Sequence, residues 1–127
     1  MQTSVLLSIK PEFVEKIFAG LKRYEFRRVL FRSKSVSRVV VYASSPVQQV
    51  VGEFEVGGIL ALHKWKLWQL TKRHSGIPKS YFDEYFRGQQ TGFAIEIKRP
   101  QRYTTPMLLK QLFRLARPPQ SFMYLEA

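Results

Sequence analysis

The sequence predicts an α+β domain in which a mostly antiparallel sheet, curled into a barrel, carries helices in its connections. Three observations predict it. Short β-branched runs recur along the chain, stretches of helical period lie between them, and Gly, Pro and Ser turns punctuate the two. At 127 residues the chain suits one domain over 1–127, long enough to bury a core without a disulfide or a structural metal.

"VLLSIK" (5 to 10) has a strand's length and a β-branched start, and the proline after it suits a helix's first turn. In "PEFVEKIFAG", Phe13, Val14, Ile17 and Phe18 make one apolar stripe, and Glu12 and Glu15 sit near the positive end of the helix dipole. Gly20 supplies the stop, because glycine takes the left-handed C-terminal position without steric cost. "KRYEFRR" then alternates, with Tyr24 and Phe26 inward and Arg23, Glu25 and Arg27 on the opposite face. The same pattern also describes an edge strand guarded by charges.

"RVVVYAS" (38 to 44) and "VVGEFEVGGIL" (50 to 60) read as further strands, the second with Phe54 and Val56 on one face and Glu53 and Glu55 on the other. The basic connection "RRVLFRSKSVSR" before them is left open, as an ordered link or a mobile loop. In the turn "ASSPVQQ", Ser44 and Ser45 either offer hydroxyls to a phosphate or ribose or simply make the turn. Residues 63 to 75, "HKWKLWQLTKRHS", read as a helix with Trp65, Leu67, Trp68 and Thr71 near one side. The tryptophans are expected to pack it against the barrel; stacking on bases is the alternative. "IPKSYFDEYFRG" starts a second helix at Pro78 and ends it at Gly88, with Phe82, Tyr85 and Phe86 as the packed face. "TGFAIEIKRPQRY" returns to strand, which Pro100 interrupts or ends. The tail passes through a helical turn in "TTPMLLKQLFRLA" to a closing strand in "SFMYL".

Charge narrows the function. Lys and Arg number 21 against 9 Asp and Glu, a net +12, and the pI near 10.3 makes nucleic acid the first partner to consider. Aromatic residues at 14% supply stacking surfaces. The absence of cysteine removes disulfides, thiolate catalysis and Cys-based zinc sites, and His63 and His74 lack the HExxH spacing. No metal and no cofactor are therefore expected. No apolar run approaches the roughly 18 residues of a membrane span, and the N-terminus carries no basic leader, so a soluble, cytoplasmic chain without a membrane partner is expected.

"GLKRYEFR" has the spacing G-x-K-x-x-E-x-R through Gly20, Lys22, Glu25 and Arg27. With "SIKPEFVEKIFAGLKRYEFRR", "VVVYASSPVQQVVGEFEV" and "PPQSFMYL" in the same order, the chain resembles the ASCH domains of the PUA-like superfamily, in their small prokaryotic single-domain branch. The resemblance implies a small β-barrel with a cleft between barrel and helices in which RNA or a modified nucleoside binds. It assigns cleft roles to Lys22, Glu25 and Arg27, with Arg23 beside them, and makes Ser44, Ser45, Gln120 and Ser121 neighbours. Some ASCH proteins are amidohydrolases of acetylated cytidine, with a threonine where this chain has Glu25, and other relatives have been proposed to be ribonucleases.

The residues suit both binding and catalysis. A lysine and an arginine flanking a carboxylate attract phosphate and leave one acceptor for a base amino group or a ribose hydroxyl. For catalysis, Lys22 with its pKa lowered by Arg27 and burial, or Glu25 with its pKa raised by burial, would serve as general base. The plain alternative is an ion pair tying strand to helix. The leading expectation is an RNA- or nucleotide-binding domain; the alternatives are a small hydrolase of an acylated nucleoside, a ribonuclease using the same cleft, or a module for an acidic protein partner.

Overall fold

Apolar runs such as 5–7 and 39–43 need cover on both faces of a sheet. The computed structural model, which describes residues 3–113 and 122–125, supplies it. In chain order the elements are β1 (Thr3–Ile9), α1 (Pro11–Phe18), β2 (Tyr24–Arg27), β3 (Val36–Ala43), β4 (Gln49–His63), α2 (Lys64–Thr71), a 3-10 turn (Lys72–His74), α3 (Lys79–Tyr85), β5 (Thr91–Met107), α4 (Leu109–Phe113) and β6 (Phe122–Leu125). The six strands form one sheet in the order β2-β5-β4-β3-β1-β6, antiparallel except for the parallel pair β1 and β3.

Alternation along β1 and β3 sorts their side chains between two cores. Val5, Leu7, Ile9, Val39, Val41 and Ala43 join Phe13, Val14 and Ile17 of α1, Leu67 of α2 and Phe82 of α3 in the main core. Leu6, Val40 and Tyr42 join Val50 and Leu109 on the other face, under Met123 and Leu125.

The expected barrel does not close. Among the described residues the sheet ends at β2, paired with β5, and at β6, paired with β1, and no ladder joins those edges. Both sides of β1 are already taken, by β3 and β6. Just before the four-residue β2 the chain meets the 3-10 turn instead of a strand: the Arg23 N–H donates to the His74 carbonyl at 2.8 Å. The space that closure would fill is a cavity shared by Ser8 and Ile9 of β1 and Glu25 to Arg27 of β2.

Three further expectations change. β5 runs on through Pro100, because Glu55 pairs with Lys98 and Glu53 with Gln101, which leaves Arg99 and Pro100 in a bulge where no ladder N–H is required. Arg99 bends the chain there at φ 47°. Trp68 packs on Phe82 at 4.9 Å between centroids, as expected, but Trp65 is 71% exposed. The charged face of β2 is covered too, since Glu25 is 6% exposed. The open question about the basic connection is answered by contacts: Phe31 is buried against Phe122, and the Arg32 and Ser33 N–H groups both donate to the Tyr124 hydroxyl, at 2.9 and 3.0 Å.

Candidate functional site

The first helix aims the key lysine. At its end the Gly20 N–H donates to the Ile17 carbonyl and the Leu21 N–H to the Lys16 carbonyl, a Schellman motif that needs a left-handed residue at Gly20, φ 79°. The chain turns back beneath the helix, and Lys22 goes inside. A Cβ at Gly20 would meet nothing within 4 Å, so Gly20→Ala is expected to cost only the backbone strain, about 1–2 kcal/mol in urea unfolding.

Lys22 is 2% exposed and its Nζ donates to the Ser75 carbonyl at 2.8 Å. It lies 4.9 Å from the Phe26 ring centroid and 5.4 Å from that of Phe13. The neighbouring carbonyls are also taken, His74 by the Arg23 N–H and Gly76 by Lys16 Nζ at 3.0 Å. Three successive carbonyls thus hold the segment from α1 to β2. Burial lowers the Lys22 pKa to about 8; Glu25 pulls it up and Lys16 pushes it further down. The cation acting on Lys22 is Lys16, not Arg27 as the sequence led us to expect.

Glu25 and Arg27 lie two apart on β2 and so share a face. Their side chains are 9% and 12% exposed, with Arg27 Nη1 3.4 Å from Glu25 Oε2. Together with Lys22 they line a cavity of about 140 Å³. Its other walls are Ser8, Ile9, Lys10 and Phe13 from the β1–α1 corner, Phe26, Ile77, and Tyr81 and Tyr85 from α3. An engineered void of about 150 Å³ admits benzene, so a single heterocyclic ring is within reach. Tyr81 and Tyr85 stack at 6.4 Å and 12° on one wall, and Tyr81 meets Phe13 edge-on at 5.1 Å. The Tyr85 hydroxyl donates to the Phe26 carbonyl, and burial raises its pKa. Lys10, Lys22 and Arg27 against Glu25 make the lining net positive.

The remaining sequence candidates lie elsewhere. The Arg23 side chain is exposed and does not line the cavity. Ser44 and Ser45 sit in the β3–β4 turn, where the Ser44 N–H donates to Ile9 and its carbonyl accepts from Val47, and neither reaches the lining. Gln120 and Ser121 fall outside the described residues. Lys10, Phe13, Tyr81 and Tyr85 were not singled out for the site; the i, i+4 tyrosines of α3 were the available signal. Among the described residues no three His, Cys, Asp or Glu side chains gather as a metal would require, and no helix is long and apolar enough to cross a membrane.

The profile of the ASCH domain family matches residues 7–104, most of the chain and the whole of this corner. The protein belongs to the ASCH domain family. This ASCH domain is 30% identical over 122 residues to a Zymomonas mobilis protein named ASCH domain-containing ribonuclease, covering 94% of this chain and 82% of that one. The crystal structure of a serine-to-alanine variant of an ASCH protein from Zymomonas mobilis superposes with a TM-score of 0.88 at 28% identity, over 97% of this chain and 88% of that one. The large ribosomal subunit protein uL22 of Ureaplasma parvum serovar 3 is 26% identical over 123 residues, which are 97% of this ASCH domain but only 39% of that protein.

Proposed function

We propose that this ASCH domain binds RNA and takes one nucleotide unit into the cavity beside Lys22. The observation that carries the reading is a buried lysine and a nearly buried arginine flanking one carboxylate in an aromatic-walled cavity of a +12 chain. Arg27 and Lys10 attract phosphate, Glu25 accepts from a base amino group or a ribose hydroxyl, and the tyrosines offer rings for a base. The similar protein that this chain covers over most of its length is a ribonuclease by name, which supports RNA as the ligand class.

A second reading, that the bound RNA is also cut, is favoured by the ribonuclease name and by Lys22. With its pKa lowered by burial to about 8, Lys22 gives up its proton near neutral pH far more readily than an ordinary lysine. A neutral amine keeps an N–H for the Ser75 carbonyl and has a lone pair for a proton. Lys22 takes the proton of a 2′-hydroxyl, the 2′-oxygen bonds to phosphorus, and the P–O5′ bond breaks. The 5′-oxygen gains a proton from solvent, and a 2′,3′-cyclic phosphate remains. Arg27 faces the charge that builds on the phosphoryl oxygens.

Labelled single-stranded RNA titrated at rising salt tests the binding, with log affinity expected to fall linearly with log salt. No binding at low salt would remove the proposal. For cleavage, cyclic-phosphate ends and a rate rising through pH 8 are expected, and a 2′-deoxy substitution at the cut should block it. Cutting of the deoxy substrate would exclude this chemistry.

A further inference from the structure

Helix α2 buries one side and, among the described residues, leaves the other uncovered. Leu67 and Thr71 are buried and Trp68 packs on Phe82, whereas Trp65, Lys66, Gln69, Lys72 and Arg73 are exposed. Those five fall at i, i+1, i+4, i+7 and i+8, which puts them on one side of the helix and its 3-10 extension. They span about 12 Å along the axis.

Among the described residues no acidic group compensates the charge on this side. No Asp or Glu occurs from Val56 to Phe82. Among the described residues none of Lys66, Lys72 and Arg73 has an acidic group within ion-pair distance, although other exposed cations do, such as Lys79 with Asp83 at 2.8 Å. A surface kept merely soluble would mix signs. Trp65 is exposed at the start of the helix, where its backbone N–H donates to the capping His63 Nδ1 and the His63 ring meets the indole edge-on at 5.1 Å. An exposed indole among cations with no acidic partner in the described residues is the combination that receives an unpaired base and its flanking phosphates. In sequence, Lys72 and Arg73 lie two to three residues before Ser75, whose carbonyl holds Lys22, so the helix that carries this side leads into the segment that positions the lysine.

We infer that the exposed side of α2 is a second contact surface for single-stranded RNA, with a base stacked on Trp65 and the backbone along Lys66, Lys72 and Arg73. The inference rests on the RNA reading and extends it from a one-nucleotide cavity to a track that leads the strand there. A duplex keeps its bases paired, so this surface favours unpaired RNA.

The test is anisotropy of a short fluorescein-labelled oligouridylate with the full chain. Trp65→Ala should weaken binding at least about fivefold, and Trp65→Phe should keep most of the affinity. Replacing Lys66, Lys72 and Arg73 together by Gln should lower the salt slope by about 2. In a Lys22→Met chain the oligonucleotide should still quench tryptophan emission, and adding Trp65→Phe, which leaves only Trp68, should abolish that quenching. If the α2 variants bind like the parent while Lys22→Met binds worse, the inference is overturned and the cavity reading stands. A parent chain that binds no RNA overturns both. Trp65 emission that shifts with phosphatidylserine vesicles but not with oligouridylate overturns it in favour of a lipid surface.

Discussion

On the proposed cleavage reading, replacing Lys22 with methionine is expected to cost about 10²–10⁴-fold in rate while leaving the fold at least as stable. Burial works against the charged form of this lysine. Moving its pKa from 10.5 to about 8 corresponds to roughly 3 kcal/mol against the charged form in the folded state. Methionine follows the same stem and its sulfur suits the Phe13 and Phe26 rings. The loss is the hydrogen bond to the Ser75 carbonyl, about 1.5–3 kcal/mol for a charged donor. The two nearly cancel, with up to about 1.5 kcal/mol left in favour of methionine.

The pH dependence identifies the group. Between about 8 and 10.5 the unfolded lysine keeps a proton that the folded one has released, so this group makes stability rise with pH across that window. Lys22→Met lacks that rise. Its advantage should be largest below pH 8 and shrink toward pH 10.5 in urea unfolding of both proteins. Parallel stability curves, or a methionine variant that melts well below the parent, would show that Lys22 is not strained by burial.

This burial marks where sequence reading stops. The spacing of Gly20, Lys22, Glu25 and Arg27 is local, set by a helix end and a two-residue strand period, so their convergence was legible. The residues that cover Lys22 were not. Ser75 and Gly76 lie more than fifty positions away and act through backbone carbonyls, which carry no side-chain signature. Alternation placed Glu25 on an outer face, but a strand at the edge of a curled sheet has no outer face once α1 and α3 close over it. Tyr85 reads from the sequence as part of a packed helix face and Tyr81 carries no signal of its own, because only the tertiary arrangement turns both toward the cavity beside β1 and β2. Strand and helix order was legible throughout, since each element has its own period and turn. Closure of the barrel was not, because it depends on which edges remain free after β6 docks on β1. Pro100 misled for a related reason: a bulge forms between two strands and is invisible in either alone.

Gly76→Ala is expected to be the most damaging single-methyl change in the site. Gly76 holds φ 69°, and a Cβ there would lie 2.5 Å from the Lys22 Cβ and 2.6 Å from its Cγ. The crowded atoms are the base of the stem, not its far end, so a shift there moves the amine away from the Ser75 carbonyl and from its place over the Phe13 and Phe26 rings. Left-handed strain of about 1–2 kcal/mol and overpacking of about 1–3 kcal/mol together predict a loss of roughly 2–5 kcal/mol. Gly20 and Gly88 separate the two causes. They have φ of 79° and 81°, yet an added Cβ meets nothing within 4 Å at either. Alanine at those positions should cost the backbone part alone, and the excess at Gly76 measures its contact with Lys22. Shortening the lysine supplies the independent check. In a double-mutant cycle Lys22→Ala should recover part of the Gly76→Ala loss, because the crowded Cγ and Cδ are gone. Equal losses at all three glycines, with no coupling to Lys22, would mean that the segment 74–76 does not position the lysine.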